Sequence, residues 1–454
     1  MTVSVFDMLT LRHLWTSEEL RAIFSEENRV QKWLDFEAAL ARAQAELGVI
    51  PQEAADAIAA QARVERIDIA AMAAEIRRVK HPLTPLLKQL QAHVGEYGEW
   101  LHYGATTQDV IDTGTVLQLK DAHAVYLRDV GAVGRELARL AQEHRDTIMV
   151  GRTYRVHALP ITFGHKCAIW LDEMARHYAR LRECEPRLFV GMLVGAVGTQ
   201  ASLGAKARDI ETLTLAALGL AAPNISWAPA RDRFAEYANV LALLGATLSK
   251  IGNELFNLQR NELAEVDEGF SEGKIGSSTM PHKRNPVATE NLAGLGRALR
   301  YNAAMMTEAM VQEHERDGVA WKTEWKALPE SCLIMGAMLS QAPQLLAGLS
   351  VDKDAMRRNL DAMRGYWLSE RVMLELGEKV GKQTAHQWVH EASMQGLADK
   401  LDFAEAMRRH AALAQTLGER DIARLADPAG YLGATGASID RTVAAHRAAG
   451  WFDA

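Results

Sequence analysis

The stretch Gly276-Ser277-Ser278-Thr279-Met280-Pro281-His282-Lys283-Arg284-Asn285-Pro286 gathers the groups best suited to chemistry. A serine hydroxyl holds its proton far above neutral pH. It becomes a base only when cations and aligned donors stabilise its oxyanion. Lys283 and Arg284 bring cations, and consecutive amide N–H groups beside Gly276 bring donors. Asn285 can bind a carboxylate without adding charge. The chemistry such a set suits is base catalysis by a serine oxyanion, with a carboxylate bound nearby. An ordinary Gly/Ser loop with solvated basic residues has the same composition.

The elements that must position this loop read as helices. Proline is scarce, at 12 residues, and Ala, Leu, Glu and Arg dominate, so helix propensity is high nearly everywhere. Thr16 and Ser17 before Glu18 and Glu19 predict a helix start. Trp33, Phe36, Leu40, Ala43 and Leu47 follow at helical spacing. Segments 115–147, 165–187 and 232–268 read as long helices. In the last, Leu241, Leu244, Leu248, Ile251, Leu255 and Leu258 form one apolar stripe. Helices of that length usually pack in bundles or across subunits. No period-2 strand of convincing length appears, so the fold class is all-α. Segment 269–286, with its glycines and prolines, interrupts the helices as a mobile catalytic lid would. Loops near 80–85 and 102–109 are rich in Thr and His.

Composition narrows the function. The 454 residues imply two or three domains. Pattern breaks suggest 1–110, 111–350 and 351–454. The net charge of −7 gives no footprint for nucleic acid or an acidic membrane. Cys167, Cys184 and Cys332 lack metal-ligand spacing and suit a reducing compartment as buried small hydrophobes. The start, Met1 to Leu11, lacks the pattern of a signal peptide, and no run approaches a membrane span. The expected location is cytoplasmic. The Gly-rich run Gly195 to Gly204 has no preceding strand, so it is not read as a dinucleotide loop. With no HExxH and no Cys/His cluster, the chemistry is expected to need no cofactor and no metal.

Segment 276–286 resembles the signature loop of the fumarase/aspartase superfamily, GSSxMPxKxN, and matches it completely. The resemblance implies that Ser277 is the base, and that Lys283 and Asn285 bind the carboxylate that takes up the carbanion's charge. It extends over nearly the whole chain. Segment 101–113, LHYGATTQDVIDT, is similar to the family's first conserved region, where hydroxyls bind substrate carboxylate. Thr106, Thr107 and Gln108 fall there, and Asp109 would hold the loop. Segment 151–164, GRTYRVHALPITFG, is similar to the second region, in which Thr153 falls as a substrate-binding candidate; His157 is a candidate for ligand contact, or else a core or structural histidine.

The departures are informative. Adenylosuccinate lyases carry a proton-donating histidine where this chain has Tyr154. Carboxymuconate cycloisomerases carry a tryptophan there. Tyr154 could donate a proton only with its pKa, about 10 when free, lowered. His81 and His102 match histidines of the adenylosuccinate lyases, and His81 is the preferred stand-in acid. Glu290 matches a glutamate that orients the acid histidine. In those lyases the HERD arginine is followed by a serine and a second arginine, and all three hold a nucleotide phosphate. Here Arg316 is kept, but Trp321 and Trp325 stand at the other two places. Arg231 and Arg233 resemble substrate-side residues, or else a salt-bridged helix start.

The resemblance implies a three-domain homotetramer with a central long-helix bundle and sites shared between subunits. Its substrate would be a small di- or tricarboxylate. One reading is a lyase that eliminates fumarate from an N-substituted, aspartate-like succinyl compound. A second is a lactone-forming 3-carboxy-cis,cis-muconate cycloisomerase. A third is a structural protein on the same fold, which would have no use for the Ser277, Lys283 and Asn285 set. Adenylosuccinate itself is expected to be a poor substrate.

Overall fold

The computed structural model describes residues 3–269 and 276–453. The expected lid, 269–286, therefore lies partly outside the described residues. The chain divides into two compact units. Unit one takes residues up to Asp129, His177–Ser249 and Gly294–Ser340; unit two takes Val130–Arg176, Lys250–Ala293 and the part from Gln341 onward.

The architecture is helical, as the sequence predicts. Ser17 caps the short helix Glu18–Ile23 by accepting the Leu20 N–H at 3.3 Å. Helix α1 (Glu26–Glu46) follows, capped by Ser25, and buries Trp33, Phe36 and Leu40. Helix α2 (Thr84–Val94) comes next. Helix α3 (Thr107–Glu143) has 37 residues, roughly 55 Å of rise. It starts earlier than its apolar pattern does, because Asp109 accepts the Thr106 N–H at 3.0 Å and closes the first turn. Helices α4 (Phe163–Leu188), α5 (Asp232–Leu258), α6 (Val287–Glu308) and α7 (Gly318–Ala347) complete the long set.

Two expectations need correction. Helix α5 stops at Leu258, short of 268. Ala264 takes a left-handed φ of 50°, and the Glu265 N–H returns to the Leu258 carbonyl at 2.9 Å. Val266–Asp267 then pairs with Ser350–Val351. The six apolar residues of the α5 stripe are each at most 1% exposed within the chain itself. The stripe is plain core, so it needs no second subunit to cover it.

The second correction is a β-hairpin, β1 (Ile148–Thr153) and β2 (Val156–Thr162), antiparallel in unit two. Its turn residues Tyr154 and Arg155 both have positive φ, 51° and 67°. Such turns normally advertise themselves with Asn-Gly or Gly, and this one carries neither, which is why the sequence pattern missed it. Arg152 anchors the hairpin through a bidentate pair with buried Glu265, at 2.6 and 2.9 Å, and Asn359 also donates to that carboxylate.

The three cysteines are buried and unpaired. No helix among the described residues is long and apolar enough to cross a membrane.

Candidate active site

In unit one, the loops before α2 and α3 converge. The Thr84 N–H donates to His81 Nδ1 at 3.0 Å, and Thr84 Oγ1 lies 2.7 Å from the same nitrogen. A ring nitrogen that accepts an amide proton carries none itself. His81 Nδ1 is thus an acceptor, and its Nε2 lies 3.3 Å from Thr107 Oγ1.

His102 has a carboxylate partner instead. Its Nδ1 lies 2.7 Å from Oε1 of Glu37, whose side chain is fully buried. Burial pulls the imidazole pKa down, but the charge and hydrogen bond of Glu37, with Asp109 behind them, outweigh it and raise the value. A left-handed backbone at His102 (φ 58°) and the Gln44 side chain on the Tyr103 carbonyl fix the turn. Asp109 ties this loop to the 193–195 strand of chain by accepting N–H groups from Thr106, Val194 and Gly195. Burial lifts its pKa to about 6 against those bonds.

Glu37 was not foreseen. The available signal was a carboxylate on the apolar face of α1, between Trp33 and Leu40, where only a paired charge is tolerated.

Arg316 reaches the same loop. Its Nε donates to Gln108 Oε1 at 2.6 Å, and its terminal nitrogen to Thr106 Oγ1 at 3.2 Å. His81, His102, Thr106, Thr107, Gln108 and Arg316 therefore share one face of unit one, lined with hydroxyl and cationic donors suited to a carboxylate.

Arg231 does not join them. It is 1% exposed, and all five of its N–H donors are committed. They go to Glu324 (2.8 and 2.5 Å), Asp112 (2.7 and 3.1 Å) and the Ala228 carbonyl (3.5 Å). No donor is left for a substrate, so it frames the site from behind. Arg233 pairs with the Arg187 carbonyl. Trp321 Nε1 also donates to Asp112, at 2.9 Å.

In unit two, the signature loop is folded on itself. Ser277 Oγ accepts the N–H groups of Thr279 at 3.2 Å and Met280 at 3.0 Å. Asn285 closes the loop by donating to the Gly276 carbonyl at 2.7 Å. A Cβ at Gly276 would fall 2.2 Å from the Lys283 carbonyl oxygen, so only glycine fits this approach. The loop leads into α6, where the Glu268 carboxylate accepts the Ala288 and Thr289 N–H groups at 3.0 Å each. Lys283, Asn285 and Glu290 are exposed, and Glu290 sits on the first turn of α6. In the hairpin, Thr153 is exposed and Tyr154 is 100% exposed at the tip. His157 is half-buried, and burial with nearby Arg152 lowers its pKa against the pull of Glu265.

Comparison with known proteins places this arrangement in a class. A lyase family profile matches residues 13–299, and a profile described as adenylosuccinate lyase C-terminus matches 365–442. The chain belongs to this lyase family, in the fumarase/aspartase superfamily. It is 48% identical to the N-acetyl-S-(2-succino)cysteine lyase of Enterococcus italicus, over 99% of this chain and 98% of that one. It is 40% identical to the adenylosuccinate lyase of Pyrococcus horikoshii, over 92% and 93%. The crystal structure of 3-carboxy-cis,cis-muconate lactonizing enzyme from Pseudomonas putida superposes with a TM-score of 0.91, at 37% identity, covering 97% of this chain and 99% of that one.

The Glu37–His102 pair gives a pH prediction. The groups facing this ring are the carboxylates of Glu37 and Asp109. If the charged ring helps to bind the substrate anion, binding is full below the raised pKa and is lost as pH rises through it. KM is therefore expected to climb on the alkaline side. Glu37→Gln removes the charge that raises the pKa, so the climb should begin at lower pH. A KM profile unchanged by Glu37→Gln would show that another group titrates.

Proposed function

We propose that this chain is a cofactor-free lyase that eliminates fumarate from an S-(2-succino) thioether, with N-acetyl-S-(2-succino)cysteine as the leading substrate. The observation that carries the chemistry is the pair of backbone N–H groups on Ser277 Oγ. Two preorganised donors on one oxygen stabilise its anion, as in an oxyanion hole, at no cost of reorganisation during reaction.

The Ser277 oxyanion removes the proton next to a carboxylate. Charge flows into that carboxylate, held by Lys283 and Asn285, and the bond to the leaving atom then breaks. Thr106, Thr107 and Arg316 hold the other carboxylate. Leaving-group chemistry favours sulfur over the nitrogen first expected from the sequence. An amine must be protonated as it departs, whereas a thiolate, from a thiol of pKa about 8.5, leaves without an acid. Tyr154 in place of a histidine, together with a His81 whose Nδ1 is taken up by the Thr84 N–H, suits a leaving group that needs little acid. The 48% identity to an enzyme named for a succinothioether supports the same choice.

Sites completed from several subunits of a tetramer belong to this reading. Leu243 and Phe256 on α5, Ile169 on α4 and Tyr301 on α6 are large apolar side chains left 38–75% exposed, the kind of surface that subunits cover. A carboxymuconate cycloisomerase is the alternative, favoured by the 37% identity to a lactonizing enzyme.

A substrate panel followed by ultraviolet absorbance of the enoate product decides among them. N-Acetyl-S-(2-succino)cysteine should yield fumarate. Carboxymuconate conversion to a lactone, without that activity, would sink the proposal in favour of the alternative. Adenylosuccinate should be poor. Trp321 has given its single N–H to Asp112, and Trp325 cannot replace a guanidinium fork. Two missing charge-assisted bonds at about 1.5–3 kcal/mol each cost at least roughly a hundredfold. A kcat/KM on adenylosuccinate above about 10⁴ M⁻¹s⁻¹ would refute this assignment of Trp321 and Trp325.

A further inference from the structure

Unit one contains a cavity of about 240 Å³ whose lining includes Phe24, Arg29, Gln118, Glu324, Trp321 and Trp325. Asp112 of α3 also lines it. That residue lies five positions beyond Thr107, roughly 8 Å along the helix axis. Gln108 bonds both Asp112 and Arg316, and Arg316 bonds Thr106, so the lining is tied to the carboxylate-binding face.

Two donors line the cavity without a hydrogen-bond or ion-pair partner among the described residues. Half-buried Arg29 makes no ion pair within 4 Å among the described residues; its guanidinium lies 4.7 Å from the centre of the Trp33 ring. Burial lowers its pKa, and the charge of Glu26 only partly offsets this. Trp325 Nε1 is buried without an acceptor. The contrast with Trp321 is direct, since that indole is satisfied by Asp112. The carboxylates of the lining, Asp112 and Glu324, are both taken up by Arg231, so neither neutralises Arg29. An unpaired cation and an unpaired N–H beside aromatic walls are costly as they stand. A ligand with one carboxylate and a small apolar or amide body would satisfy both.

We propose that this cavity receives the leaving-group half of the substrate, with Arg29 and Trp325 Nε1 binding a carboxylate on it. This rests on the succinothioether reading above. It narrows the substrate class to thioethers whose thiol half is itself an acid, such as an N-acylated cysteine.

The test compares N-acetyl-S-(2-succino)cysteine with S-(2-succino)-N-acetylcysteamine, which lacks only the cysteine carboxylate. Wild-type enzyme should prefer the first by at least about tenfold in kcat/KM, mostly through KM, the least that one charge-assisted bond would give. Arg29→Gln should abolish the preference, Arg29→Lys should restore part of it, and Trp325→Phe should lose a smaller part. Equal use of the two thioethers by wild type, or a preference that survives Arg29→Gln, would overturn the proposal. Calorimetric titration with the free thiols N-acetylcysteine and N-acetylcysteamine separates the cavity from the reaction. Tighter binding of the acid, lost in Arg29→Gln, supports the cavity even if no thioether releases fumarate, in which case the functional reading fails alone. Fumarate release from both thioethers, with no discrimination between the thiols, means that the cavity proposal fails alone.

Discussion

Ser277→Ala is expected to lower kcat by a factor on the order of 10³ or more while leaving KM little changed. The oxygen it removes is the one that accepts the Thr279 and Met280 N–H groups. In the variant those donors have no base to stabilise. Ser278 is exposed one position away, outside the pair of N–H bonds. The loop itself should stay closed, because its backbone closure runs through Asn285 and the Gly276 carbonyl. Steady-state kinetics with the substrate found in the panel is the measurement. A variant keeping a tenth of wild-type kcat would remove Ser277 as the base. The same variant tests the shared site. Mixed with a His81→Ala variant, it should regain part of the activity as hybrid oligomers form with some intact sites. No recovery after co-refolding, or full activity in a monomer by sedimentation, would exclude sites built from more than one chain.

Arg231→Leu is expected to destabilise the protein by about 3–5 kcal/mol, the usual cost of leaving buried charge without its partner. Asp112 would keep donors from Trp321 and Gln108, whereas the side-chain hydrogen bonds of Glu324 among the described residues both come from Arg231. The sign of the pH dependence follows. Burial already raises the Glu324 pKa in the native protein, against the pull of Arg231. Without the guanidinium it should rise further. The penalty is then present at pH above that value and is relieved as pH falls and the carboxyl takes a proton. Denaturant melts of wild type and variant at neutral and mildly acidic pH measure this. A loss under about 1 kcal/mol, the range of an exposed pair, or a loss that grows on acidification, would contradict it. Because the triad also carries Gln108 and through it Arg316, activity should fall at temperatures where the variant is still folded.

Much of this was legible in the sequence because the signals were local. The Ser17 cap, the apolar face of α1 and the α5 stripe each follow from residues a few positions apart, and period alone finds them. The signature loop was legible for the same reason: Gly276, Ser277, Lys283 and Asn285 lie within ten positions. The hairpin was not, since Tyr154 and Arg155 occupy left-handed conformations without the residues that usually announce them. The end of α5 was missed because no proline or glycine marks Leu258; the helix ends where Glu265 and Ser350–Val351 offer the backbone other partners.

The sequence by itself determined the lyase class, the helical architecture and the residues that meet in the loop 276–286. Those depend on short-range pattern and on a motif whose members are covalently close. Only the tertiary structure decided the partners of the titratable groups. His81 and His102 are the same residue type in similar loops, yet Nδ1 of one accepts the Thr84 amide, while Glu37, 65 positions away, pairs with the other and raises its pKa. Arg231 and Arg316 look equally available along the chain, but Asp112 and Glu324 bury one and leave the other beside Thr106. Ionisation and donor availability are set by burial and by partners distant in sequence, and folding alone brings those together.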